Sequence, residues 1–307
     1  MRARNEWRRP NGISGISLSR ALVGSLLATL LSVTAWSATG FEVAMARVEA
    51  RMQGRVGVFA MRGSAWASYR ADERFAYCST FKWVLGAAVL KSVDEGRLEL
   101  DRKVRYGPKD LISMSPFTSA HLKQGSLSVG ELCAATIITS DNTAANLLEP
   151  LVGGPSGMQT FVRNLGDPVM RFDRMEPELN SNLPGDPRDT TTPEAMARLL
   201  HRVLEAKVLS KGSRDQLLAW MQAVETGMGR IHAGVPKGWI VAHKTGTGYK
   251  GAVNDVAVIY PPKGEPIYLC VFTDGDRLDT KAHEAAIAET TRLVVETLHE
   301  GPRAHSL

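Results

Sequence analysis

The stretch STFKWVLGAAVLKSV, residues 79–93, marks the point where this chain changes from strands to helices. Its apolar run predicts a helix over 79–94, ended by Gly96. Residues three apart share a helix face, so Ser79 and Lys82 would lie one turn apart, within reach of a hydrogen bond. A serine hydroxyl becomes a nucleophile when a neighbouring group takes its proton. Roughly one S-x-x-K is expected by chance in a chain of this length, so its weight depends on the rest of the sequence.

Strand patterns lie on both sides of a long helical region. Before residue 79, the sequence predicts a helix at 41–52 and strands at 55–61 and 66–69. Further helices are predicted at 128–139, 142–151, 155–165, 193–206 and 210–223. The remaining predicted elements are strands at 239–245, 253–260 and 267–273 and a closing helix at 281–299. This order predicts an α/β (α+β) fold: a five-stranded antiparallel sheet flanked by the terminal helices, with an inserted all-helical lobe and the active site between the lobes.

The same pattern predicts three segments. Residues 1–37 are expected to be a signal peptide, 38–72 plus 225–307 a discontinuous sheet domain, and 73–224 a helical domain. The helical domain includes the loop 172–190, which lies in a stretch at 167–192 that is rich in Pro, Asp, Asn and Gly and has no helical period. A long irregular segment inside a compact domain is usually functional.

Residues 1–37 have the composition of an export signal: five Arg, an apolar core at 21–33, and small residues at positions 35 and 37. The core is short for a transmembrane anchor, the alternative interpretation. We therefore expect a periplasmic or secreted protein with no stable membrane association after cleavage. The whole chain has 37 basic and 32 acidic residues. After residue 37, 32 basic and 31 acidic residues remain, and this near-neutral balance does not suggest nucleic-acid binding.

The cysteines and histidines do not form a recognisable site. Cys78, Cys133 and Cys270 show no C-x-x-C spacing, so at most one disulfide is possible and we expect none. The seven histidines show neither H-x-H-x-D nor H-E-x-x-H spacing. No metal or other cofactor is expected.

Two three-residue motifs could complete a site around Ser79 and Lys82. Residues 140–142, Ser-Asp-Asn, fall between two predicted helices and could direct a hydroxyl and an amide into a cleft, or Asp141 could simply cap a helix. Residues 244–248, KTGTG, end a strand. Their lysine and hydroxyls could hold an anion while the glycines allow close approach, or they could form an exposed turn.

Two further features could contribute a base and a cation. Glu176 and Asn180 could hold a water between a carboxylate and an amide and remove its proton, or form a solvated acidic turn. Arg230 could face the same anion site or solvate a helix end.

The combination resembles a class A serine β-lactamase over the whole mature chain. The matching motifs are S-x-x-K at 79–82, S-D-N at 140–142, E-x-x-x-N at 176–180 and K-T-G at 244–246. The resemblance implies hydrolysis of the β-lactam amide bond of penicillins and cephalosporins through a serine acyl-enzyme, and hence β-lactam resistance. The implied partners are small-molecule β-lactams, and we expect a monomer.

The resemblance also implies a role for each motif residue. Ser79 would attack the carbonyl, and the backbone N–H groups of Ser79 and Thr247 would form the oxyanion hole. Glu176, with Asn180, would activate the water that hydrolyses the ester, and either Lys82 or Glu176 would be the acylation base. The other implied roles are proton relay by Ser140 with Lys82 and Lys244, carboxylate binding by Lys244, Thr245, Gly246, Thr247 and Arg230, side-chain amide binding by Asn142, and closure of the loop 172–190 by Arg174 and Asp189.

The chain departs from the family pattern at three places. Met114 stands where an aromatic residue usually lines the cleft mouth, which leaves substrate preference open. Cys78 precedes the nucleophile as in class A carbapenemases, but Gly248 occupies the position of its disulfide partner. His243 stands where Asp is frequent, and either alters the charge of Lys244 or packs within the strand.

Two other kinds of protein share part of this pattern. A D-alanyl-D-alanine peptidase has S-x-x-K and K-T-G, and a β-lactam sensor is acylated without turnover. Both lack the water-activating glutamate, so Glu176 and Asn180 argue against them.

Overall fold

A computed structural model of the chain describes residues 40–275 and 279–299. The predicted signal peptide at 1–37 lies outside these residues. Among the helices described, none is both long and apolar enough to cross a membrane.

The described residues contain a five-stranded antiparallel sheet, as the sequence predicts. Numbered in chain order, its strands are β1 (Arg55–Arg62), β2 (Ala65–Tyr69), β7 (Ile240–Thr247), β8 (Val253–Tyr260) and β9 (Ile267–Asp274). Short strands between them form two pairs, β3 (Phe75–Ala76) with β6 (Thr190–Thr191) and β4 (Lys103–Arg105) with β5 (Ser126–Ser128). The sheet order is β2-β1-β9-β8-β7. The first strand of the sequence, β1, therefore pairs inside the sheet with the last strand, β9.

Each face of the sheet supports a separate apolar core. Successive side chains of a strand point to opposite faces, so Val58 and Phe59 belong to different clusters. The Val58 face packs on α1 (40–52) and α10 (Thr280–His299). The Phe59 face packs on helices from the middle of the chain. The sheet therefore separates the terminal helices from the inserted ones.

The inserted helices begin at the end of β3. They are α2 (Phe81–Asp94), α3 (Pro116–Ala120), α4 (Val129–Ile138), α5 (Asn142–Leu148), α6 (Gly154–Asn164), α7 (Pro193–Glu205) and α8 (Lys211–Gln222). The short helix α9 (Ile231–Gly234) follows them and packs with α10 on the other face of the sheet. Every residue of α2 from Phe81 to Leu90 is buried. A helix surrounded on all sides has no polar face, which explains why this stretch is apolar apart from Lys82.

The long predicted helices are observed with small differences at their ends. The segment predicted as one helix over 142–151 is α5 followed by a 3₁₀ turn, Glu149–Val152. Ser128 and Ser210 each accept a hydrogen bond from the backbone N–H three residues on, at 3.2 Å, and so cap α4 and α8. The short helices α3 and α9 are missing from the prediction because a single turn has no measurable period.

A close crossing brings β7 to the start of α2. A Cβ atom placed on Gly246 would lie 2.7 Å from the carbonyl oxygen of Tyr77 and 3.0 Å from the backbone nitrogen of Thr80. Only glycine permits this approach. The end of β7 therefore lies directly beside the turn that carries Ser79.

Candidate active site

Ser79 lies on a short turn that leads into α2. The 3₁₀ turn Cys78–Thr80 comes directly before Phe81, and Cys78 adopts a left-handed conformation with φ of 50°. This conformation is uncommon for residues other than glycine and is found at functional sites. The turn presents the Ser79 hydroxyl to a cleft, where the side chain keeps partial access to solvent.

Ser79, Lys82 and Glu176 form one buried group. Ser79 Oγ donates to Glu176 Oε1 at 3.1 Å, and Lys82 Nζ lies 3.0 Å from the same oxygen. The side chains of Lys82 and Glu176 are fully shielded from solvent. The helix spacing had suggested a hydrogen bond between Ser79 and Lys82. In the described residues Ser79 Oγ bonds to Glu176 instead, because the lysine amine is directed to other acceptors.

Those acceptors lie in residues 140–142. Lys82 Nζ donates to the Ser140 carbonyl at 2.8 Å and to Asn142 Oδ1 at 2.5 Å, and it lies 3.5 Å from Ser140 Oγ. Burial lowers the pKa of Lys82, and the Glu176 carboxylate opposes this shift. A lysine with a lowered pKa gives up its proton more readily than an exposed one, which suits a proton relay.

Both interpretations of the Ser-Asp-Asn motif are correct. Asp141 caps α5 by accepting a hydrogen bond from the backbone N–H of Ala144 at 2.8 Å. Ser140 has a left-handed conformation with φ of 61°, and Ser140 and Asn142 both line the cleft. The cap fixes the backbone on which the two polar side chains are carried.

The end of β7, together with Arg230 just before α9, forms a cluster of basic side chains and hydroxyls. This cluster is here called the anion clamp: Lys244, Thr245, Thr247 and Arg230. Lys244 Nζ donates to Ser140 Oγ at 3.1 Å, and Arg230 Nη2 donates to Thr247 Oγ1 at 2.8 Å. Burial and the positive charges of Lys82 and Arg230 lower the pKa of Lys244 well below its ordinary value. An anion at this site would receive charge-assisted hydrogen bonds.

Arg230 is held in the clamp by backbone atoms. Its Nη1 donates to the carbonyl oxygens of Gly246 and Asn254, at 2.9 Å each. Its Nε lies 3.3 Å from Glu284 Oε1, and the residue is 5% exposed. The guanidinium therefore belongs to the strand edge and does not solvate a helix end.

Glu176 is fixed through both its side chain and its backbone. Asn180 Nδ2 donates to Glu176 Oε2 at 2.5 Å. Asn146, on α5, accepts from the Glu176 N–H at 3.1 Å and donates to the Glu176 carbonyl at 2.8 Å. The paired contact with α5 holds the loop 172–190 against the helical part of the site.

The loop is also closed on itself by Arg174 and Asp189. Arg174 Nε donates to Asp189 Oδ2 at 2.6 Å, and the Asp189 side chain is fully buried. Asp189 Oδ1 accepts from the backbone N–H groups of Asp173 and Arg174, at 2.8 and 3.0 Å. A buried carboxylate with this many donors rigidifies the two ends of the loop.

The cleft is a cavity of about 380 Å³, lined among others by Ser79, Ser140, Asn142, Asn180, Arg230, Thr245 and Thr247. Met114 is 77% exposed at its edge, as expected for a residue at a cleft mouth. On the other side, Gly248 lies against Cys78, which is buried and free. Cys133 and Cys270 are likewise buried and free.

His243 packs within the strand. It is buried, and its Nδ1 lies 3.1 Å from both carboxylate oxygens of Asp255 on β8. Of the two interpretations of this residue, the structure favours the packing one.

Three residues near the site escaped the sequence interpretation: Asn146, Thr226 and Tyr249. Asn146 lies in an apolar helix, where one polar residue every few positions is ordinary. Thr226 Oγ1 lies 2.5 Å from Thr245 Oγ1, and Tyr249 lines the cleft. Both lie in turns whose position depends on tertiary contacts, so no local pattern could have identified them.

The fold and the cleft together define a serine hydrolase. The Ser79 hydroxyl contacts a buried lysine–glutamate pair, and Lys244 at the strand edge beside it bonds to Ser140. Residues 40–298 match the family described as "Beta-lactamase enzyme family", and the chain belongs to that family. More closely, it is a class A β-lactamase, which hydrolyses β-lactams and so confers resistance to these antibiotics.

Relatives match over most of the chain. The carbapenem-hydrolyzing beta-lactamase KPC of Klebsiella oxytoca is 42% identical, over 92% of this chain and 98% of that protein. Beta-lactamase FAR-1 of Nocardia farcinica (strain IFM 10152) is 44% identical, over 82% of this chain and 81% of that protein. The structure of an ancestral class A beta-lactamase, GNCA, is 49% identical and has a TM-score of 0.81, covering 83% of this chain and 99% of that one.

Proposed function

We propose that this β-lactamase works through an acyl-enzyme on Ser79 that Glu176 and Asn180 help to hydrolyse. One observation carries the proposal: the Glu176 carboxylate bonds to Ser79 Oγ through one oxygen and to Asn180 Nδ2 through the other, at 3.1 and 2.5 Å. A single carboxylate can therefore serve the nucleophile first and a water molecule beside Asn180 afterwards.

In acylation, Ser79 Oγ attacks the lactam carbonyl carbon while its proton passes to Glu176. Glu176 is the base in this proposal because it is the direct acceptor of the Ser79 hydroxyl. The C–N bond of the ring breaks, and the ring nitrogen takes a proton from Ser140 Oγ. Lys82 Nζ, 3.0 Å from Glu176 and 3.5 Å from Ser140 Oγ, returns a proton to Ser140 and regains one from Glu176.

The developing oxyanion would be stabilised by the backbone N–H groups of Ser79 and Thr247. Both residues line the cleft, and the close crossing at Gly246 supports their proximity. Preorganised donors of this kind are usually the largest single contribution to catalysis.

In deacylation, Glu176 takes a proton from a water molecule that attacks the ester carbonyl. The C–O bond to Ser79 breaks, and Ser79 Oγ regains its proton. The enzyme returns to its starting state and the product is a penicilloic or cephalosporoic acid. Asn180 and the backbone contacts of Asn146 support the position of Glu176 for this step.

The substrate would be oriented at two points. The anion clamp, together with the backbone of Gly246, receives the substrate carboxylate, and Asn142 binds the side-chain amide. Asn142 Nδ2 donates to the Ser113 carbonyl at 3.0 Å, and this bond supports its orientation toward the cleft. We propose penicillins and cephalosporins as substrates. Carbapenems belong in the same assay because one relative is described as carbapenem-hydrolyzing.

The organisation of the chain is part of the proposal. We propose a monomer that is exported after removal of residues 1–37, with a sheet domain of 38–72 plus 225–307 and a helical domain of 73–224. The sheet strands at 55–69 and 240–274, and the helices over 81–222, support this division.

Turnover of a chromogenic cephalosporin by the purified mature protein tests the proposed function. We expect many turnovers per enzyme and complete loss of activity in Ser79→Ala, because the hydroxyl forms the covalent bond. A stoichiometric burst without turnover in the parent would overturn the proposal in favour of a β-lactam sensor or a D-alanyl-D-alanine peptidase.

A further inference from the structure

A buried carboxylate on β8 lies across from the anion clamp and has no part in the proposed reaction. Asp255 pairs with Thr245 in the register of β7 and β8, and its side chain is fully buried. Its Oδ2 accepts a hydrogen bond from the Ile231 N–H at 3.2 Å, and His243 Nδ1 lies 3.1 Å from both of its oxygens. An ionised carboxylate only accepts hydrogen bonds, so both neighbours donate to it. These three residues are here called the Asp255 bridge.

The two donors of the bridge are chain neighbours of the two basic residues in the clamp. His243 directly precedes Lys244, and Ile231 directly follows Arg230. Like charges in the clamp repel: after burial and Lys82, the charge of Arg230 lowers the pKa of Lys244, and the Asp255 carboxylate opposes this shift. Asp255 therefore joins the strand that carries one cation to the segment that carries the other.

Arg230 is held at both ends by consecutive residues of β8. Its guanidinium donates to the Asn254 carbonyl at 2.9 Å, and the peptide N–H that follows it donates to Asp255. Asn254 is itself fixed, because its Nδ2 donates to the Ala76 carbonyl at 2.8 Å. A side chain that is fixed in advance loses little conformational entropy when a ligand binds, so its contacts contribute more to binding.

We propose that Asp255 and His243 are positioning residues that set the spacing of Lys244 and Arg230 for the substrate carboxylate. The inference rests on the proposed function, in which the anion clamp receives that carboxylate. A misplacement of about 1 Å at a binding group can cost roughly a hundredfold in rate. A buried pair behind the clamp can therefore control binding without touching the substrate.

Benzylpenicillin and its methyl ester test the bridge, because the ester lacks the charged carboxylate. The quantity to measure is the kcat/KM of the acid divided by that of the ester. Asp255→Leu replaces the two carboxylate oxygens by methyl groups at similar positions. We expect it to lower the ratio about tenfold, because a displaced Arg230 makes a weaker charge-assisted bond to the carboxylate. A parental ratio would overturn the role of the bridge in binding.

Asp255→Asn is the conservative variant. Its amide oxygen can still accept from the Ile231 N–H, and its NH₂ group can donate to the other tautomer of His243. The ratio should therefore stay within about twofold of the parental value. A fall as large as that in Asp255→Leu would assign the effect to the lost charge and overturn the positioning role.

His243→Phe tests the bridge from its other side. The variant keeps an aromatic ring and removes the donor to Asp255, so we expect the ratio to fall about threefold. If Asp255→Leu does not fold, this variant decides the test, and a parental ratio in it would overturn the proposal.

Ile259→Ala is the matched control. Ile259 is also fully buried on β8, four residues from Asp255 and so on the same face, where it belongs to the apolar core. Its truncation should lower Tm and leave the ratio unchanged, because it removes packing but no contact of the bridge. A fall in the ratio as large as that in Asp255→Leu would show a general loss of stability and overturn the positioning role.

Crystal structures of the free variants separate this inference from the proposed function. The bond between Arg230 Nη2 and Thr247 Oγ1, 2.8 Å in the parent, should be lost in Asp255→Leu and kept in Asp255→Asn. An intact bond in Asp255→Leu would overturn the bridge. A parental kcat/KM ratio in Arg230→Ala would instead overturn the proposed role of the clamp, and the crystal structures would still test the bridge.

Discussion

Cys78, which directly precedes Ser79, lies against Gly248. A Cβ atom on Gly248 would lie 2.5 Å from Cys78 Sγ and 2.9 Å from the Asn180 carbonyl. Burial raises the pKa of the Cys78 thiol, so it is unreactive as it stands. The two positions that form the disulfide in class A carbapenemases therefore lie next to each other in this chain, but only position 78 is a cysteine.

Gly248→Cys is predicted to form a disulfide with Cys78. Under denaturing, non-reducing conditions the variant should show two free thiols, against three in the parent. A bond closing so long a loop should stabilise the fold by about 2–4 kcal/mol, a rise in Tm of several degrees that a reductant removes. Gly248→Ala controls for the added Cβ, and a thiol count of four in Gly248→Cys would contradict the predicted geometry.

The place of a single residue in the site could be predicted where the residue belongs to a motif whose chemistry requires that residue type. Ser79, Lys82 and residues 140–142 and 244–247 come together around one cleft, as expected. The detailed pairing could not be predicted, because Ser79 bonds to a carboxylate 97 positions away. Tyr249 has no local signal at all, since its place is set by Asn180 and Asn182.

The loop 172–190 is the element on which the proposed deacylation depends. Its ends are joined through Asp189, and its middle is joined to α5 through Asn146. A loop held at both places keeps Glu176 beside the ester. If either tie is lost, the carboxylate should be misplaced for the water more than for the serine, since Ser79 and Lys82 contact it directly.

Arg174→Ala should therefore slow deacylation more than acylation. Breaking this partly buried ion pair leaves Asp189 buried without its cation. We expect kcat to fall about tenfold or more with a parallel fall in KM, because the acyl-enzyme accumulates when its release becomes slower. Steady-state kinetics and mass spectrometry of the intact protein measure both effects.

Arg188→Ala is the control for that variant. Arg188 pairs with Asp186 in the same loop, and its side chain is 47% exposed, so the pair contributes little. Its kinetics should match those of the parent. A fall in kcat with unchanged KM in Arg174→Ala, or equal effects in the two variants, would contradict the pinning role.

Elements with a clear period could be predicted, and short elements could not. The strands β8 and β9 and the helices α4, α6, α7 and α8 agree with their sequence patterns to within about two residues, the usual uncertainty of helix and strand ends. The pairs β3–β6 and β4–β5 contain strands of two or three residues. Their pairing depends on how the loops pack, so the sequence carries no separate signal for them.

At the scale of the whole molecule, one buried acid links stability to pH. Glu149 follows α5 and is 2% exposed. Burial, and then the charges of Glu176 and Asp189, raise its pKa to about 8, while Lys82 opposes the shift. The folded chain thus holds a proton that the unfolded chain releases near pH 4.5. This contribution to the free energy of unfolding is complete below pH 4.5 and is lost as the pH rises through about 8.

Glu149→Gln should remove this pH dependence. The amide copies the protonated acid, so the variant and the parent should have similar Tm values at pH 5. Above pH 8 the variant should be more stable than the parent by a few kcal/mol, because it has no buried carboxyl group to ionise. Thermal unfolding across the pH range measures the difference. Glu42→Gln, at an exposed position, is the control, and parallel Tm curves for Glu149→Gln and the parent would contradict the assignment.

The overall architecture could be predicted because it depends on many helix and strand patterns along the chain. The order of strands and helices predicts the sheet and the inserted helices, and neither depends on one contact. The burial of Glu149 could not be predicted, since a glutamate after a helix is ordinarily exposed and only the packed molecule encloses it.

The central claim is that Ser79 is acylated and Glu176 releases it. Intact-protein mass spectrometry of Glu176→Ala mixed with a chromogenic cephalosporin tests this claim most directly. Acylation should be slower than in the parent, and release should be slower still. The whole population should therefore carry one covalent adduct on Ser79, while the parent shows product and little adduct. Rapid turnover by Glu176→Ala without an adduct would contradict the account.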